Sequence, residues 1–211
     1  GQTFSWLPSG RAQFRDKRVP RENLNGLLVG RTGLDALLYS LTGLDGPWAQ
    51  DPPFYASVES FTTAAEMDSS VTTLSGWHGW DQQRSIFFYH DGPIVILDEA
   101  AGPRGGKAAI SWQLPGAQAI APGRFRLDGP DTPAEVLLLP QPGASIDSQP
   151  TGSLTQVRYN ATSGGSLRLV TVFLTGPWVG AQASLDGDTL TLTQAGGETL
   201  TLSLTAQRTT P

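Results

Sequence analysis

The sequence predicts an all-β protein: a large antiparallel β-sandwich with a short N-terminal segment that is helical or irregular. Three observations carry this. The chain holds 25 Gly and 16 Pro with many Thr and Ser, and only 16% charged residues, a balance suited to a turn-rich β protein. Short stretches of β-branched and aromatic residues recur, divided by Gly-rich turns. Near the end Leu190, Leu192, Leu200, Leu202 and Leu204 alternate with Thr or Ser, the period of two of half-buried strands. A chain of 211 residues can bury a core without disulfides, and this one has no cysteine. No repeat at a fixed period is visible, which argues against a propeller or solenoid.

Two regions are expected: 1–55, an N-terminal arm with a first strand that could dock to a partner domain, and 56–211, the sandwich. In the first, Leu34, Leu37, Leu38 and Leu41 fall on one face of a short helix between Gly33 and Gly43. A strand over Gly26 to Val29 with a loop after it is the alternative. From Phe54 the pattern is β, with strands over Tyr55 to Thr63 and Ser70 to Leu74. Arg84 to Tyr89 and Pro93 to Asp98 flank His90-Asp91-Gly92, where Asp-Gly predicts a hairpin with a primed turn. Their continuous apolar runs suggest strands buried on both faces. Further strands are expected over Ala108 to Leu114, Gly123 to Leu127, Ala134 to Leu139, Thr155 to Asn160 and Ser166 to Leu174. A closing meander runs over Ala183 to Leu185, Thr189 to Thr193 and Thr199 to Leu204. Its Leu side chains point inward, and it is a candidate sheet edge.

The net charge of −5 argues against nucleic acid as a partner. No apolar run is long enough to span a membrane. The chain starts at Gly1, without Met, so a removed targeting signal is expected. Arg11, Arg15, Lys17, Arg18 and Arg21 form a basic stretch, either a patch for an acidic glycan or a solvated arm.

Asn23 to Gly33 (NLNGLLVGRTG), Phe61 to Leu74, Gly79 to Asp98 and Ile110 to Pro115 (ISWQLP) resemble successive strands of one known domain. Arg84 opens an apolar strand, His90-Asp91-Gly92 turns it, and the returning strand ends in Asp98. The pattern resembles the C-terminal β-sandwich of heparinase II/III-like polysaccharide lyases. That family often places His before the first strand and again before the hairpin Arg; here Asn23, Asn25, Gln82 and Gln83 stand in those regions. The resemblance implies a bacterial, extracellular or cell-envelope protein acting on acidic polysaccharide. It also implies that a helical (α/α) toroid supplies most catalytic groups while the sandwich walls the cleft.

The resulting expectation is an accessory sandwich that packs on a catalytic domain, contacts polysaccharide and is not catalytic alone. Part of an active lyase, or a self-assembling envelope or filament subunit, are the alternatives. β-Elimination needs a base, an acid and a group to neutralise the uronate. His78 is the weak catalytic candidate. Trp77, His78, Trp80 and Asp81 are the ligand-binding candidates, because two indoles could stack on sugar faces. The competing reading makes Trp77 and Trp80 a cover for the core edge and His78 a loop residue. His90 is read as a turn residue, and Arg84 with Asp98 as a cross-strand pair. No cofactor is expected, and no metal: no His pair has ligand spacing, and Asp186-Gly187-Asp188 fits a hairpin turn better than a calcium loop.

Overall fold

A computed structural model describes residues 25–30, 33–42, 56–127, 133–151, 154–160 and 165–205. In chain order these form β1 (Gly26–Val29), α1 (Gly33–Thr42), β2 (Ser57–Thr63), β3 (Met67–Trp77), β4 (Trp80–Tyr89) and β5 (Ile94–Ala101). Next come β6 (Ala108–Pro115), β7 (Gln118–Ala121), β8 (Arg124–Leu127), β9 (Ala134–Pro140) and β10 (Ser145–Thr151). Then follow β11 (Leu154–Asn160), β12 (Ser166–Thr175), a 3-10 turn at Gly176–Trp178, β13 (Gln182–Asp186), β14 (Thr189–Thr193) and β15 (Thr199–Ser203). The candidate basic stretch lies outside the described residues.

The strands build three sheets: β1-β6-β11-β10, β2-β3-β4-β5-β12-β9-β8-β7 and β13-β14-β15. The expected antiparallel sandwich is present, with the eight-stranded sheet in the middle. One of its faces packs Ile96, Val136, Leu138, Leu167, Leu169 and Phe173 on Ile110, Trp112, Leu114, Val157 and Tyr159 of the four-stranded sheet. Its other face packs Val95, Leu97, Leu137, Val170, Val172 and Leu174 on Leu190, Leu192 and Leu202 of the three-stranded sheet. That is why the β5 and β12 sequences are apolar in unbroken runs: every side chain near their centres has a sheet over it.

Several expectations change. The C-terminal meander, with Leu inward as expected, is a separate layer over the middle sheet and not an edge of it. The strand over Gly26–Val29 and the helix, posed as alternatives, both form. On α1 three of the four leucines of that face, Leu34, Leu37 and Leu41, are 63%, 54% and 74% exposed, and Leu38 is half-buried. The β4–β5 hairpin does not use a primed turn, since neither Asp91 nor Gly92 has a positive φ. Gly92 is needed there for space, because a Cβ would sit 2.9 Å from Tyr89 Cβ. β7 and β10 carry no strong apolar pattern and were not expected.

The middle sheet also overhangs its four-stranded neighbour. β1 ends that neighbour, yet β4, β3 and β2 continue past it. Residues in register share a face. Val58 aligns through Thr72 and Arg84 with Asp98. Phe61 aligns through Ser70 and Ile86 with Ile96, and Phe88 aligns with Ile94. Ile86, Ile94 and Ile96 pack in the core shared with the four-stranded sheet. Val58, Phe61 and Phe88 therefore extend that core face beyond its cover, and they are 68%, 68% and 43% exposed.

Candidate functional site

The four candidate residues Trp77, His78, Trp80 and Asp81 lie at the β3–β4 hairpin. Trp77 pairs with Trp80, and the register shifts between Leu74 and Trp77. Both indoles are turned into the core, 3% and 1% exposed, with Trp80 packed so tightly on Gly102 that a Cβ there would lie 2.2 Å from its ring. Burial this complete leaves no indole face for a sugar, so the two tryptophans are corrected from ligand contacts to anchors of the hairpin. What reaches solvent is His78, half-buried, and Asp81. His78 holds φ 52°, a left-handed conformation that costs a residue with a Cβ roughly 1–2 kcal/mol. Gly76 N–H donates to Asp81 Oδ1 at 2.8 Å, closing the turn from below. The arrangement explains the motif as a tight, anchored turn that displays one imidazole.

His90 clasps two hairpin ends. Its backbone N–H donates to Glu66 O at 3.1 Å, its Nδ1 faces Ala65 O at 3.1 Å, and its Nε2 lies 3.3 Å from Asp68 Oδ2. The Asp186-Gly187-Asp188 segment is a hairpin turn, with Gly187 at φ 56° and Asp188 paired with Arg168 at 2.6 Å. Among the described residues no three His, Cys, Asp or Glu side chains gather to hold a metal. No helix among them is long and apolar enough to cross a membrane.

The strongest polar constellation is one the sequence only partly disclosed. Arg84 and Asp98 face each other across β4 and β5, as their positions suggested. The pair is a fork: Nε donates to Oδ1 at 2.7 Å and an Nη to Oδ2 at 3.0 Å. Asp98 is fully buried and Arg84 is partly buried. Gln82 Nε2 donates to the same Oδ1 at 2.6 Å. The guanidinium lies 4.9 Å over the Trp112 ring and donates to Asn25 O at 3.2 Å. Asn25 Oδ1 in turn accepts from Gln113 N at 2.7 Å. Asn25 and Gln82, which stand where the resembled family often has His, thus meet at one charge-neutral clamp joining β1, β4, β5 and β6. Its carboxylate oxygens are all engaged, so the clamp orients strands and offers no free base.

No family model matches the chain, and no curated protein matches it in sequence. Solved structures share its fold. The heparinase III BT4657 gene product is 14% identical with a TM-score of 0.63, over 95% of this chain and 33% of that one. A second heparinase III gives 12% identity and a TM-score of 0.62, over 90% of this chain and 30% of that one. The heparan sulfate lyase HepC from Pedobacter heparinus gives 17% identity and a TM-score of 0.57, over 71% of this chain and 28% of that one. The chain carries a heparinase-like β-domain fold and spans about a third of the length of these structures.

Proposed function

We propose that the chain is the accessory β-sandwich of an extracellular or cell-envelope heparinase-like protein, packing on a larger catalytic domain and contacting an acidic polysaccharide. The observation that carries this reading is the coverage. Nearly all of this chain superposes on a third of a heparinase III chain, which leaves the larger part of that protein to do other work. Two surfaces suit the role. The overhang of Val58, Phe61 and Phe88, and the leucine face of α1, are apolar and exposed, as expected of a surface that a partner domain covers. Among the described residues, the Asp98 carboxylate is engaged by Arg84 and Gln82, the His90 imidazole is tied to Asp68 and Ala65 between two hairpin ends, and His78 sits on a separate hairpin. The sandwich therefore supports catalysis by holding and walling.

Native mass spectrometry of the particle that carries this chain, with denaturing analysis of its components, tests the reading. A helix-rich polypeptide in the same particle or the same chain, with release of unsaturated product from heparan sulfate, is the expected result. A Val58→Ser, Phe61→Ser double variant should then shed the partner while keeping its own thermal transition. A particle holding only copies of this chain overturns the proposal.

A further inference from the structure

The apolar overhang of the middle sheet carries an ion pair. Asp68 of β3 aligns with Phe88 of β4 on one side and with Thr63 of β2 on the other. Residues in register share a face, so Asp68 stands on the same uncovered face as Phe88. Phe61 lies one step along that face, beside Ser70. His90 follows Phe88 by two residues, and the two rings are 6.0 Å apart. The side chains of His90 and Asp68 are 37% and 30% exposed, so whatever covers the two phenylalanines covers this pair as well.

Both ring nitrogens of His90 face acceptors. Nδ1 lies 3.1 Å from Ala65 O, and Nε2 lies 3.3 Å from Asp68 Oδ2. A neutral imidazole carries one N–H and can serve only one of them, whereas the imidazolium serves both. The second carboxylate oxygen, Asp68 Oδ1, is buried and has no hydrogen-bond partner, so the imidazolium is what compensates this carboxylate. The other titratable groups around the ring are Glu66, whose backbone O accepts from His90 N–H, and Tyr89 and Asp91 beside it in the chain. The Tyr89 phenol is pushed above its ordinary 10.0 by burial and by Glu66. Carboxylates ordinarily titrate near about 4 and imidazoles near about 6.5, so the ring is the group of this cluster whose charge changes around neutrality.

We infer that His90 is a pH switch on the docking face: protonated, it neutralises Asp68 and lets the overhang be covered, and neutral, it leaves a bare carboxylate beside Phe88 and Phe61. A partner that covers the face must strip water from that carboxylate, and desolvating a charge without its counter-charge is costly. The docked state therefore favours the imidazolium. Its stabilisation is complete below the ordinary imidazole value of about 6.5 and is lost as pH rises through the value in the docked state. The switch rests on the reading of the overhang as a surface covered by a partner domain; the pairing of His90 with Asp68 does not.

Long-range proton–nitrogen NMR of the His90 ring tests the pairing in this chain alone. The ring should keep both protons to higher pH in wild type than in Asp68→Asn. Analytical sedimentation of the particle that carries the chain, at about pH 5.5 and about pH 8, tests the switch. Association with the partner polypeptide should weaken roughly three- to tenfold between the two conditions in wild type and stay level in Asp68→Asn. His90→Gln should show the weaker, alkaline association at both. Rings that lose the proton together in wild type and Asp68→Asn overturn the pairing, and the switch with it. Association that weakens equally in wild type and Asp68→Asn overturns the switch and leaves the docking face standing. Pairing seen by NMR in a chain that has no partner polypeptide overturns the docking reading, and only the ion pair remains.

Discussion

Tyr159 shows how one side chain ties two sheets together. It lies on β11 with its ring fully buried, and its hydroxyl donates to Arg168 O at 3.0 Å on β12 while accepting from Gln141 N at 3.2 Å. Both partners belong to the end of the middle sheet, so a single phenol closes the gap between layers. Tyr159→Phe keeps the ring and strands two backbone groups, which should cost about 1–3 kcal/mol, read as a shift of the urea midpoint with an unchanged slope. Desolvation raises the phenol above its ordinary value of 10.0, opposed in part by the Gln141 N–H. The folded state thus holds the proton more tightly than the unfolded chain. That stability is complete below about pH 10 and is lost as pH rises through the folded-state value. Wild-type protein should lose midpoint stability in alkaline titration more steeply than Tyr159→Phe.

At the scale of elements, the sequence disclosed strands where chemistry and burial agree. β5, β12 and the meander were legible because each has one burial regime along its length. β7 and β10 were not: Gln118–Ala121 is exposed throughout, and β10 reads SIDSQPT, so both owe their strand state to neighbours rather than to apolar pattern. The candidate site was legible as a motif and not as an orientation. Two tryptophans around His-Gly mark a turn, but which way the rings point depends on Gly102 and Pro103, about 25 residues downstream, a separation at which local sequence carries little signal. The Arg84–Asp98 pair could be read from the hairpin register, whereas its link to Asn25 and Trp112 required knowing that β1 borders β6. The hairpin's fit is tight enough to test. Gly102→Ala would drive a methyl into the Trp80 ring and should cost about 1–3 kcal/mol, seen as a fall of several degrees in the calorimetric transition with a changed near-ultraviolet circular dichroism band.

At the scale of the whole molecule, three layers share two cores, and neither outer layer is dispensable. Removing residues 182–205 uncovers Val95, Leu97, Val170, Val172 and Leu174. Each such aliphatic contributes about 1.5–3 kcal/mol by burial, so together they rival the roughly 5–15 kcal/mol that holds a domain folded. The truncated chain should be insoluble or bind the dye ANS strongly, and a cooperative, dye-silent product would contradict this account. One further consequence comes from the position of β12. It pairs with both β5 and β9 at the heart of the middle sheet, yet it begins only at Ser166. On a ribosome the first eleven strands would emerge before the strand that joins β5 to β9. The nascent chain must carry two half-built sheets with open inner edges until then, which makes this a slow, non-local folder with its greatest demand for chaperone protection just before β12 emerges.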